Sequence, residues 1–199
     1  MTRVKGYPRA RIRTPFGLDL LVEATAGQIV TSRFVRGRVA PSAPHRVIPS
    51  ADRVIPSADR VILSLSKDGA KLLLEARRQV EAYFAHKLAR FDLPLAFDGT
   101  EFECDVWRCV ADLGFGEFVS YADVARAIGR PFAHRGVARA IGRTEHALFV
   151  PAHRVVGSDG RPRGITPRST RLRLIEFERS ALATSGVVAH AEELRRAAR

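Results

Sequence analysis

The sequence predicts an α+β protein in two parts, a small N-terminal β-sheet and helix domain followed by a helical C-terminal domain. Three observations carry that prediction. Two strand-like runs separated by Ala26-Gly27 lie near the N-terminus, a break marked by Pro94 and Asp98-Gly99 follows, and beyond it the chain is helical and rich in arginine. With 199 residues and 46% hydrophobic content, the chain has enough apolar matter for a packed core.

Residues 1–13 carry Arg3, Lys5, Arg9, Arg11 and Arg13 around Pro8 and are expected to form a loose basic arm. Phe16 to Ala24 and Ile29 to Val35 read as the strands of a hairpin turning at Ala26-Gly27. An insertion over about 37–69 contains the one internal repeat, Arg-Val-Ile-Pro-Ser-Ala-Asp at 46–52 and again at 53–59. Pro49 and Pro56 exclude a helix there, and so few copies cannot stack into a solenoid, so an extended loop is expected. From Ala70 a helix is predicted with Leu73, Val80, Phe84 and Leu88 on one face, ending before Pro94. Phe91 to Phe97 reads as an extended linker and Asp98-Gly99-Thr100 as a turn. This organisation divides the chain into 14–97, 98–180 and a tail over 181–199.

In the second part, Thr100 is placed to cap a helix with Glu103 at its third position and Phe102, Val106, Trp107, Val110 and Leu113 on its apolar face. Gly114-Phe115-Gly116 ends it. Ser120 begins a second helix that Gly129 and Pro131 stop, and a third runs from Ala133 to about Arg143. Two short helices joined by a Gly/Pro turn and rich in small residues and arginine are the pattern of a helix-turn-helix. The apolar run Ala147-Leu148-Phe149-Val150 reads as a buried strand that ends at Pro151, opening Ala152, His153 and Arg154 onto a surface pocket.

A net charge of +12 points to a polyanionic partner. Its distribution sharpens the point: from Arg126 to Arg173 there are eleven arginines and only two acidic residues, Glu145 and Asp159. A solvated helical face would interleave the two signs. The two cysteines, Cys104 and Cys109, suit core thiols; they supply neither a disulfide framework nor a zinc site, and no metal or cofactor is expected. No apolar run approaches the roughly 18 residues of a membrane span, and the N-terminus lacks a secretory pattern. A soluble, cytoplasmic monomer without membrane partners is the expectation.

The motif Pro151-Ala152-His153-Arg154-Val155-Val156 resembles the Pro-Cys-His-Arg-Val active-site signature of the O6-alkylguanine-DNA alkyltransferase family, whose cysteine takes the alkyl group from a damaged base. Thr14-Pro15-Phe16-Gly17, Phe102 to Trp107 and Val119-Ser120-Tyr121 are similar to further segments of that family, so the resemblance runs from about Thr14 to Glu178. It implies a ribonuclease H-like, often degenerate, N-terminal domain before a helix-turn-helix domain, and double-stranded DNA containing O6-alkylguanine as partner. Arg135 then resembles the arginine finger that enters from the minor groove and replaces an extruded nucleotide, a role suited to a stacking guanidinium. Tyr121 resembles the tyrosine that turns the target phosphate. Gly136 and Ala138, with Val137 and Ala140, keep the recognition helix small-faced, and Arg139 and Arg143 meet phosphates.

The same resemblance implies a lesion pocket of Tyr121, Val150, Pro151, Ala152, Arg154, Val155, Ile165 and Thr166, with the Ala152 and Val155 carbonyls able to receive the guanine amino group. Arg154 braces it. His153 and Glu178 match the relay that activates the cysteine, but Ala152 stands at the nucleophile position and cannot accept an alkyl group. Gly164-Ile165-Thr166-Pro167-Arg168 also replaces the family's usual Gly-Tyr-Ser/Ala-Gly-Gly loop. Together these departures look like the alkyltransferase-like proteins and imply a non-enzymatic lesion sensor that flips O6-alkylguanine and flags it for nucleotide excision repair proteins. Two alternatives stand beside this: an alkyltransferase, inactivated or using another acceptor such as Cys104 or Cys109, and a general DNA-binding module with a vestigial pocket.

Overall fold

Three antiparallel strands open the chain in the order β1 (Arg9–Arg13), β2 (Leu18–Ala24) and β3 (Ile29–Arg36). They belong to a computed structural model that describes residues 7–36, 67–161 and 168–185. On β2, Leu20, Val22 and Ala24 are buried, the period-two pattern of a sheet with one face on a core. Residues 9–13, expected in the basic arm, instead form an edge strand. Ile12 pairs with Leu20 and is buried, while Arg9, Arg11 and Arg13 alternate outward, and Arg11 meets Asp19 at 2.7 Å. The high arginine content conceals a strand because only every second residue must be apolar.

Helix α1 (Lys67–Phe84) packs Leu73, Ala76, Val80 and Tyr83 against the sheet, and it begins three residues before the expected Ala70. The repeat at 46–59 lies outside the described residues. The linker that follows α1 closes on β3: the Ile29 N–H donates to Pro94 O at 2.7 Å and the Ala96 N–H to Ile29 O at 2.8 Å.

The second half comprises α2 (Glu101–Ala111), β4 (Val119–Ser120), α3 (Tyr121–Ala127), α4 (His134–Arg143), β5 (Val155–Val156) and α5 (Arg168–Ser185). The Thr100 capping box forms as the sequence predicts, with Thr100 Oγ1 accepting from the Glu103 N–H and Glu103 Oε2 accepting from the Thr100 N–H. Trp107 donates from Nε1 to Ala140 O at 2.8 Å and so fixes α2 to α4 over a core that includes Val106, Val110, Val137 and Ile141. Helix α5 continues through Ala181 to Ser185, so the first residues expected in the tail complete a helix; 186–199 lie outside the described residues.

The expected strand over 147–150 is a tight reversal. Leu148 has φ +72°, and Ala147 bridges to Val150 within the same short segment. The reversal is held by the other half of the molecule: the Ser32 N–H donates to Glu145 O, the Ala147 N–H donates to Ser32 O, and Ser32 Oγ donates to Ala147 O. Leu148 and Phe149 consequently enter the core of the sheet and α1, and Val150 enters the core of α2–α4. The result is a mixed α+β fold in which the residues before Pro151 are anchored on both sides.

Candidate nucleic-acid interface and its buried support

Ala152–Arg154 forms a single 3-10 turn. The Ala152 N–H donates to Val150 O at 2.7 Å, the Arg154 N–H to Pro151 O at 2.8 Å, and the Val155 N–H to the Ala152 carbonyl. This turn directs His153 and Arg154 onto α5, where they share the Glu178 carboxylate. His153 Nε2 lies 2.9 Å from Oε1, Arg154 Nη2 2.8 Å from the same oxygen, and Arg154 Nε within 3.2 Å of both oxygens. Arg154 Nη1 donates to Leu113 O, Tyr83 donates its hydroxyl proton to Glu178 Oε1 at 2.8 Å, and the Gly116 N–H donates to Oε2 at 2.9 Å. Glu178 is 0% exposed and Arg154 1%.

Such burial is tolerated only because every charge finds a partner. Burial alone would raise the Glu178 carboxyl, but the hydrogen bond from His153, and then the hydrogen bonds and charge of Arg154, outweigh it and hold the group at about 2. Burial pushes His153 below its ordinary value, against the pull of Glu178. The ring is therefore neutral, with Nε2–H donating to the carboxylate and Nδ1 left as the acceptor nitrogen. Burial, then the Glu178 charge, push the Tyr83 hydroxyl upward, so it remains a donor.

The exposed part of the site begins at a second capping box. Ser120 Oγ accepts from the Asp123 N–H at 3.1 Å, and Asp123 Oδ2 accepts from the Ser120 N–H at 2.8 Å, which starts α3 on Tyr121. Parallel pairing of β4 with β5 sets Ser120 beside Val156 and so brings Gly157 and Ser158 alongside. The N-terminal end of α4 supplies His134 and Arg135. One cleft is lined by Ser120, Tyr121, Ala122, His134, Arg135, Ala138, Gly157 and Ser158.

Of the expected site residues, this cleft unites Tyr121, Arg135 and Ala138. Arg139 is exposed on α4. Arg143 pairs with Glu103 at 2.8 Å, a contact that, with the Thr100 cap, holds the Glu103 carboxyl at about 2. Gly136 faces α2 rather than open groove: a Cβ there would stand 3.1 Å from the Phe102 ring. Val150, Pro151, Arg154 and Val155 are buried, and Ala152 is half-buried. Ile165 and Thr166 lie outside the described residues. Sequence reasoning missed His134 and Ser158 in the cleft, and Tyr83 on Glu178. His134 was signalled by its adjacency to Arg135; Tyr83 carried no signal, because an aromatic on an amphipathic face reads as packing.

Among the described residues, no group of three or more His, Cys, Asp or Glu side chains is placed to hold a metal, and no helix is long and apolar enough to cross a membrane.

Residues 101–180 match the family described as 6-O-methylguanine DNA methyltransferase, DNA binding domain. A methylated-DNA–protein-cysteine methyltransferase of Mycobacterium leprae is 38% identical over 122 residues, which cover 61% of this chain and 73% of that protein. The chain belongs to the O6-methylguanine DNA methyltransferase family. A methylated-DNA–protein-cysteine methyltransferase of Methanosarcina barkeri is 44% identical over 97 residues, covering 49% of this chain and 61% of the relative, so this match spans less than two thirds of the relative's length. The fold agrees with the family. The crystal structure of Mycobacterium tuberculosis OGT in complex with DNA superposes with a TM-score of 0.64 at 29% identity, covering 86% of this chain and 93% of that one.

Membership of the O6-methylguanine DNA methyltransferase family corrects the expectation that the protein is not an enzyme. That expectation rests on Ala152, whereas the relatives that match the chain are themselves named methyltransferases.

Proposed function

We propose that this protein acts in the repair of alkylated DNA by binding duplex DNA along α3 and α4 and receiving O6-alkylguanine beside the cleft that Tyr121 and Arg135 line. The observation that carries this reading is the convergence of Tyr121, Arg135 and Ala138, from two helices, with Gly157-Ser158, which directly follow β5. In this reading α3 and α4 are the two helices of a helix-turn-helix. Arg135 enters the minor groove and fills the space of the extruded nucleotide, Tyr121 turns its phosphate, and Arg139 neutralises backbone charge. The family placement supports the same chemistry, since the matched Mycobacterium tuberculosis protein was crystallised with DNA.

Recognition is common to every chemical outcome at this site. The Ala152 methyl has no lone pair, so alkyl transfer requires another acceptor. The two cysteines differ as candidates: Cys104 is buried, and Cys109 is half-buried with its thiol pushed up by burial and then by Asp112 and Glu117.

The test is titration of O6-methylguanine and unmodified duplexes at one moderate salt concentration. Preference for the lesion is expected, with loss of that preference in Arg135→Ala. Equal binding of the two duplexes by the unaltered protein rejects the reading. Intact-mass measurement after incubation separates the sequels: one added methyl on Cys104 or Cys109 identifies transfer, and an unchanged mass leaves hand-over to excision repair as the step to pursue.

A further inference from the structure

Phe132 is 94% exposed, while the next most exposed large apolar side chain among the described residues, Leu74, is 52% exposed. An exposed phenyl ring is costly to leave in water, and this one stands in a strongly cationic stretch, with five arginines and no acidic residue from Arg126 to Arg143. It lies three residues before Arg135, between Arg130 and His134.

The turn that presents it is rigid. Helix α3 ends in a Schellman arrangement: Gly129 has φ +71°, its N–H donates to Arg126 O, and the Arg130 N–H donates to Ala125 O. Pro131 then fixes its own φ, and the Ala133 N–H donates to Arg130 O at 2.9 Å, closing a tight turn with Phe132 at its third position. The ring is thus displayed from a hydrogen-bonded apex at the N-terminal end of α4. The guanidinium of Arg130 lies 5.9 Å over the Phe102 ring.

We propose that Phe132 is a second DNA-inserting side chain, an aromatic wedge that packs against a base step of the duplex beside the position taken by Arg135. The occupant is argued from charge and position: Arg135 and Arg139 share the helix that Phe132 precedes, and apolar wedges between base steps are a general device of minor-groove binders. This inference rests on the proposed DNA-binding role of α3 and α4. Within it, the wedge holds the unstacked step open while Arg135 occupies the vacated space, so the two side chains divide work that one residue would otherwise do alone.

The experiment compares the full-length protein with Phe132→Ala and Phe132→Tyr on O6-methylguanine and unmodified duplexes over a range of salt. Phe132→Ala is expected to weaken binding to the lesion duplex by roughly tenfold, the scale of one lost aromatic–base contact. The slope of log affinity against log salt should stay that of the unaltered protein, because no charge is removed. Phe132→Tyr should bind as the unaltered protein does. A fluorescent base analogue beside the lesion should brighten with the unaltered protein and remain quenched with Phe132→Ala. Unchanged affinity and unchanged base fluorescence in Phe132→Ala would overturn the wedge and leave the ring as a contact for a protein. If the unaltered protein shows no lesion preference, the proposed function fails by itself; a tenfold loss by Phe132→Ala on the plain duplex would still uphold the wedge.

Discussion

The carboxylate of Glu178 and the guanidinium of Arg135 live under opposite constraints. Glu178 is fully buried and is touched by His153, Arg154, Tyr83 and the Gly116 N–H, drawn from three separate parts of the chain. Arg135 is exposed at the start of α4 on the rim of a cleft, with no hydrogen-bonded partner among the described residues. A buried charge that lost one partner would be stranded, so the first assembly must be complete before any ligand arrives. An exposed guanidinium costs little to leave unpaired and can wait for a phosphate or a base. The difference separates two kinds of residue that one sequence resemblance groups together: those that hold the site and those that meet DNA.

Glu178→Ala should have the largest effect. It strands Arg154 and leaves the Tyr83 hydroxyl and the Gly116 N–H without their acceptor, so a loss of about 3–5 kcal/mol is expected in denaturant unfolding. A loss below about 1 kcal/mol would show that the buried knot does not hold the site. Gly116→Ala should come next, at roughly 2 kcal/mol, because the residue sits at φ +73° and its new Cβ would press into Leu182.

Acid should act on the knot more gently, and in one direction. Glu178 and His153 both titrate lower in the folded protein than in the unfolded chain, so the unfolded chain takes up more protons as pH falls. Stability contributed by His153 is lost below its ordinary value of 6.5, and that from Glu178 is lost as pH falls from 4.5 towards about 2. A thermal melt is expected to drop by a few degrees, on the order of 1 kcal/mol, between pH 7 and pH 5 and more steeply below. A Tm that is flat over that range would contradict a neutral buried His153. Arg139→Ala should do least to the fold, within about 0.5 kcal/mol, yet it should lower the salt slope of DNA binding by about 0.9. If its stability falls instead, Arg139 belongs with the residues that hold the site.

What the sequence made legible follows the same division. The capping box at Thr100 is local chemistry, written within four residues, and forms as read, while Ser120 starts its helix as read with Asp123 completing a second box. The three helices from Glu101 to Arg143 were likewise readable from periodicity and from Gly and Pro stops. Three features were not. The strand at Arg9–Arg13 is hidden because its outward half is all arginine. The reversal at Leu148 reads as a strand because its apolar residues are buried in two different cores, so no single face organises them. The bond from Tyr83 to Glu178 spans 95 residues and depends on how α1 meets α5, which no local pattern encodes. Ala152 was legible but misleading: it shows what one position cannot do and says nothing of how closely the rest of the chain follows its family.

That reversal also bears on cooperativity. Leu148 and Phe149 belong to the core of the N-terminal sheet, the very next residue, Val150, belongs to the core of the helices, and Ser32 grips the backbone just ahead of them. Neither half can loosen without pulling the other's side chains from their sockets. The protein should therefore melt in one transition, and the short turn bearing Ala152, His153 and Arg154 inherits its rigidity from the unfolding free energy of the whole molecule rather than from its own few hydrogen bonds.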